Sequence, residues 1–245
     1  MGMNKFDKSD RWLNRDSFIG MDDFENYATG GLWTSVVEGS ATIAVADGDC
    51  GIVTMSGIDS TNNRELYLKH TAQMFTFQAN KGFSIESYVQ FTEGNTSAIN
   101  FAFGVANGVT NDMLVDDGGG LKVSGSFACI YKVDGTNYWK TGSSVGTTQN
   151  LSTSTKTSTS TGYQVLRIDV MPVSSTIAEI TYFVNDQQLL QSGGRPGQNF
   201  IKDQLTYTGA AAMQMFFGLK QGSTTAESIN IDYAAWAKKR GPLYS

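Results

Sequence analysis

Residues 163–190, YQVLRIDVMPVSSTIAEITYFVNDQQLL, leave the fold few choices. Leu166, Ile168 and Val170 alternate with Arg167, Asp169 and Met171, and Ala178, Ile180, Tyr182 and Val184 alternate with Glu179, Thr181, Phe183 and Asn185. A period of two puts every second side chain on one face of a pleated strand, whereas on a helix the same residues would scatter instead of forming a stripe. Ser174, Ser175 and Thr176 supply a turn between the two runs, and Asn185-Asp186 supplies the next. The pattern predicts two long antiparallel strands, each with one face in need of a core.

The remainder is punctuated in the same way. Ala41, Ile43 and Val45 alternate up to Asp47-Gly48-Asp49, and Ile52, Thr54 and Met55 follow; 64–69 is a further short strand. Phe83, Ile85, Ser87, Val89 and Phe91 share a face, as do Ile99, Phe101, Phe103 and Val105, and these two runs are expected to pair as a hairpin. Phe127, Cys129, Tyr131 and Val133 lead to Asp134-Gly135, a strong hairpin signal, with Tyr138 and Trp139 on the return. The Ser/Thr-rich piece 142–162 has little to bury and reads as an exposed loop or a long polar hairpin tip. Met213, Met215, Phe217 and Leu219 form another strand, and Ile229, Ile231 and Tyr233 the last, with Asn230 and Asp232 facing out and Lys238-Lys239-Arg240 as a basic exposed tail. About a dozen strands at roughly 8–12-residue spacing predict an all-β fold, an antiparallel β-sandwich of jelly-roll type. It spans 23–245 as one domain, preceded by an N-terminal arm, 1–22.

A chain of 245 residues buries about three-quarters of its unfolded surface and needs no staples. A net charge of −5 argues against a duplex nucleic-acid binder, and no apolar run is long enough to span a membrane. Cys50 and Cys129 lie outside any CxxC spacing, so neither a zinc site nor a disulfide framework is expected. Without an N-terminal apolar segment, synthesis and assembly in a cytoplasm are expected.

Candidate chemistry is sparse. Paired carboxylates on one strand face would mark a glycan hydrolase, yet Glu86 has no acidic neighbour two residues away, Asp169 and Glu179 lie on different strands, and Glu227 and Asp232 differ by an odd spacing. His70 is the sole histidine and no GxSxG elbow accompanies it, so it reads as a polar surface imidazole. Asn107, Asn111, Asp112, Asp116 and Asp117 with Gly118-Gly119-Gly120 form an oxygen-rich loop of a kind that can hold calcium, although Asp, Asn and Gly are also ordinary turn material. Tyr88, Tyr138 and Trp139 could stack on sugar rings or stiffen cross-strand pairs. In the arm, aromatic residues stand beside arginines, a combination that protein interfaces favour: Phe6, Arg11, Trp12, Leu13, Arg15 and Phe18 are the candidate contacts.

The runs ADGDCGIVT (46–54), GFSIESYVQFTE (82–93), NFAFGVANGVTNDMLVDDGGG (100–120), YKVDGTNYWKT (131–141), LRIDVMP (166–172) and INIDYAAW (229–236) together resemble tailed-bacteriophage virion proteins with a concanavalin-like jelly-roll body. The likeness covers about 22–240 and rests on strand patterns. It departs from that pattern at Asn185-Asp186, where Asp-Gly is usual. The resemblance implies a head decoration, or cement, protein: non-enzymatic, without cofactor, a homotrimer bound to the major capsid protein on the capsid exterior of the virion. The rival expectation is a lectin-like carbohydrate-binding module of a phage tail or receptor-binding structure.

Overall fold

The computed structural model describes residues 17–239 except 29, 48–50, 58–60, 96, 194–198 and 209. Along them run β1 (Ser17–Asp22), β2 (Trp33–Val37), β3 (Thr42–Asp47), β4 (Ile52–Gly57), β5 (Glu65–His70) and β6 (Phe83–Thr92). Next come β7 (Asn100–Ala106), β8 (Leu114–Val115), β9 (Gly120–Leu121), β10 (Phe127–Lys132), β11 (Tyr138–Val145) and β12 (Thr148–Thr157). The last are β13 (Gln164–Pro172), β14 (Ile177–Val184), β15 (Gln187–Gln188), β16 (Lys202–Thr206), β17 (Gln214–Lys220) and β18 (Glu227–Lys239).

They build two packed antiparallel sheets. One has nine strands in the order β15-β14-β13-β6-β18-β4-β3, with β1 beside β18 and β16 beside β14; the other has seven, β12-β11-β10-β7-β17-β5-β2. The β13–β14 pair forms in the register its alternation requires, Ile168 opposite Tyr182 and Val170 opposite Ile180, all four side chains being buried. Both residues of the Asn185-Asp186 turn have positive φ, 52° and 62°. Asn and Asp tolerate this left-handed conformation, so the departure from Asp-Gly leaves a tight hairpin into β15.

The main core fills the space between the sheets. Phe91, Phe101 and Trp139 meet there with ring centroids 5.8–6.4 Å apart, and the Trp139 indole N–H donates to Gln164 Oε1 at 3.0 Å. Tyr182 and Ser143 come from opposite sheets, and both hydroxyls donate to Asp203 Oδ2 at 2.7 Å. Those donors cover part of the cost of burying a carboxylate; burial still raises its pKa.

Several expectations are corrected. β6 and β7 do not pair: β6 lies between β13 and β18 in one sheet and β7 between β10 and β17 in the other, so the connection after Thr92 crosses the sandwich. Residues 142–162 are mostly strand, since β11 and β12 pair and bury Thr141, Ser143, Ser144 and Ser154. Small hydroxyl residues suit a strand when a neighbour such as Trp139 provides the apolar bulk. A register shift between Ile231 and Tyr233 makes a bulge in β18. Ile229 and Ile231 point into the core, Tyr233 lies opposite Tyr88, and Ala234 and Trp236 return to the core. Lys238 and Lys239 belong to this strand and pair with β1, so they form no free tail. The end of the expected arm is likewise a strand of the sandwich, Ser17–Asp22; Phe6, Arg11, Trp12, Leu13 and Arg15 lie outside the described residues.

Candidate functional site

The outward face of the seven-stranded sheet is covered over its central strands, β5, β7, β10 and β17. Alternate residues of β5, β7, β10 and β17 point away from the main core, and Tyr67, Ala102, Cys129 and Phe216 form a second apolar cluster with Met113 and Leu114 of the 107–125 segment. β8 and β9 pair within that segment. A third layer thus replaces an open groove.

A cage of oxygens pins the layer. Lys220 ends β17 on the outward face, directly opposite Glu65 of β5. Its side chain is 1% exposed. Nζ lies 2.9 Å from the Leu114 carbonyl, 3.1 Å from Asp112 Oδ1 and 3.4 Å from Glu65 Oε2, and it also pairs with Asp116. The Tyr67 hydroxyl donates to Glu65 Oε2 at 2.7 Å and accepts from the Leu114 amide at 2.9 Å, while the Asp112 amide donates to Glu65 Oε1 at 2.7 Å. Burial works against the lysine's charge, but the hydrogen bond to Asp116, the charge of Glu65 and the hydrogen bond to Asp112 outweigh it and hold its pKa above the usual range. Burial pushes the Glu65 carboxyl up. Lys132, buried at the same end, pairs with Glu93 at 2.7 Å, and there burial wins and lowers the pKa.

Around the cage the loops form an exposed polar rim. Asn63 Nδ2 donates to Asp117 Oδ1 at 3.1 Å, and the Asp117 amide donates to Asn63 Oδ1 at 3.1 Å. Asp117 has a left-handed φ of 53°. The β10–β11 turn lies against this loop, since a Cβ placed on Gly118 would come within 3.0 Å of the Asp134 carbonyl. Tyr138 follows that turn on the outward face, two residues before Lys140 and 46% exposed. Hydrogen-bonding carboxylates and amides, with an exposed aromatic ring at the same end of the sheet, are the groups that can hold a polyhydroxylated ligand with an apolar face.

The candidates from the sequence separate accordingly. Asp112 and Asp116 hold the Lys220 ammonium and Asp117 holds Asn63. Asn107 caps the neighbouring turn, its Oδ1 accepting from the Ser126 amide at 2.6 Å, and Asn111 is exposed. Among the described residues no group of three or more His, Cys, Asp or Glu side chains is arranged to hold a metal ion. His70 is not a surface residue: it is buried between Trp33 and Trp236, ring centroids 5.3 and 5.5 Å away, and burial lowers its pKa. Trp139 is core and unavailable to a ligand, and Tyr88 stacks in a ladder with Tyr163 and Tyr233 across the opposite sheet. Phe18 is 44% exposed on β1. Cys129 is a buried free thiol, and Cys50 lies outside the described residues. Along the strands of the seven-stranded sheet Glu65 is the one acidic residue. The sequence reading missed Lys220, Glu65 and Lys132. The available signal was parity, since Lys220 shares the outward face of β17 with Phe216 and Gly218.

No family model matches the chain, and no curated protein matches it in sequence. Solved structures do. The carbohydrate recognition domain of Emp46p, in a potassium-bound form, is similar over 95% of this chain and 100% of its own, with a TM-score of 0.58 at 12% identity. An endo-1,3-beta-glucanase from Streptomyces sioyaensis matches over 94% of this chain and 98% of its own, TM-score 0.58, 12% identity. Lectin I from Ulex europaeus, solved with the methyl glycoside of alpha-L-fucose, matches over 91% and 98%, TM-score 0.55, 11% identity. The fold is therefore the concanavalin-like sandwich that lectins and a glucanase share.

Proposed function

We propose that this chain is a non-catalytic, lectin-like module that binds a glycan at the end of the sandwich that carries Asn63, Asp117, Asp134 and Tyr138. The observation that carries the reading is the meeting of three loops, with the carboxylates and amides of Asn63, Asp117 and Asp134, at one end of the sandwich, and a solvent-facing tyrosine on the strand that leaves the last of them. Carbohydrate recognition domains and lectins among the structures of like fold support it. The glucanase neighbour raises the hydrolytic alternative, against which stands the strand chemistry: hydrolysis uses two facing carboxylates, and the seven-stranded sheet offers Glu65 alone, committed to Tyr67, the Asp112 amide and Lys220. Glycan-array binding by the full chain, lost in Tyr138→Ala and Asp117→Ala, tests the proposal; an array blank for the wild type overturns it.

A second reading is favoured by a different surface. Phe18, Ile19 and Met21 of β1 are exposed apolar side chains on one strand, and exposed apolar groups on an edge suit a protein partner. With the resemblance to virion proteins, this supports a decoration protein seated as a homotrimer on the major capsid protein at the capsid exterior, with neither nucleic acid nor membrane as partner. Co-sedimentation with empty tailed-phage heads tests it: a chain that ignores heads, or a Phe18→Ser/Met21→Ser variant that binds them equally well, removes this reading or its contact surface.

A further inference from the structure

The loop 107–120 has the composition of a cation-binding segment, and in the structure its centre is filled by a side chain of the same chain. Three carboxylates and one carbonyl surround Lys220 Nζ. Hard cations take this mixture of carboxylate and carbonyl oxygens, with calcium at about 2.3–2.6 Å. Here the atom at the centre is a lysine ammonium, 2.9 Å from the Leu114 carbonyl, 3.1 Å from Asp112 and 3.4 Å from Glu65 and paired also with Asp116. We propose that Lys220 is the resident cation of this loop: its tethered ammonium holds 112–117 in shape in the way a bound metal ion would, which makes ligand binding at the rim independent of divalent metal.

Two independent features carry this. The first is register, because Lys220 lies directly across from Glu65 in adjacent strands. The floor of the cage is therefore set by sheet pairing and not by the loop that covers it. The second is charge: three carboxylates face one ammonium, but the Asp112 and Asp116 side chains are 77% and 56% exposed, so water hydrates the surplus and no second positive charge is required. A tethered cation has no dissociation equilibrium, and a chelator has nothing to remove. Only the statement about ligand binding rests on the rim being the glycan site.

Amide hydrogen exchange on the full chain, read at 112–117, tests the proposal. In the wild type neither EDTA nor calcium chloride changes exchange there. Lys220→Ala speeds it by about tenfold or more while β13 and β14 stay protected. Propylammonium or calcium chloride slows it again in the variant, whereas tetramethylammonium chloride at equal ionic strength does not, since that ion is too large for the cage. Should Lys220→Ala fail to fold, Asp112→Asn/Asp116→Asn, altered at exposed positions, gives the same loosening. Faster wild-type exchange in EDTA, unchanged exchange in the variants, or no rescue of Lys220→Ala by a small cation each overturns the assignment. None of these readings involves a glycan, so a blank array overturns the proposed function and leaves the resident lysine standing.

Discussion

Tyr138 and Trp139 are consecutive in β11 and face opposite ways, the tyrosine 46% exposed on the outer side and the tryptophan 0% exposed in the core. Changing each should therefore read out on a different property. Tyr138→Ala is expected to remove glycan binding on an array with the melting temperature unchanged. Trp139→Ala opens a cavity beside Phe91 and Phe101 and strands Gln164, so denaturant unfolding should show a loss of roughly 3–5 kcal/mol.

Asp203 accepts two buried hydroxyls on one oxygen. Asp203→Ala leaves Ser143 and Tyr182 without that acceptor and should cost roughly 2–4 kcal/mol, whereas Asp203→Asn keeps an oxygen in place and should cost about half as much. Equilibrium urea unfolding of the two variants measures the difference.

Glu227 accepts from the Gly222 amide and the Ser223 hydroxyl, yet burial raises its carboxyl from the ordinary 4.5 to about 7. The folded chain then holds this proton more tightly than the unfolded chain. Its contribution to stability is full below pH 4.5 and is lost as pH rises through about 7. Glu227→Gln cannot ionise, so its stability relative to wild type should improve by on the order of 2 kcal/mol between pH 5 and pH 8. Unfolding midpoints at the two pH values check the sign.

Gly20 of β1 lies opposite Trp236 of β18, and a Cβ there would run into the indole ring. Gly20→Val should displace β1 and expose one side of β18, costing roughly 1–3 kcal/mol. Faster amide exchange at 234–239, with β13 and β14 unchanged, is the expected signature.

The sandwich could be read from the chain because period-two alternation survives in β13, β14, β7 and β17. Where alternation breaks, local pattern no longer specifies the structure. The extra residue at the bulge in β18 inverts the facing of Tyr233, and nothing in INIDYAAW marks it. β11 and β12 carry hydroxyls where strands normally carry branched apolar residues, so their pairing depends on neighbours distant in sequence. Pairing partners were also beyond local reasoning, as β6 and β7 show: adjacent strands can join one sheet or cross to the other with the same alternation. At the site, the oxygen-rich loop was legible in composition, but its cation was not, because Lys220 stands 104 positions beyond Asp116 and only the fold brings them together.

The third layer over the seven-stranded sheet has a consequence for how this protein can change. With the central strands sealed, a substitution in the 107–125 segment or its neighbouring turns alters what solvent meets on this side, whereas one in the strands beneath alters packing.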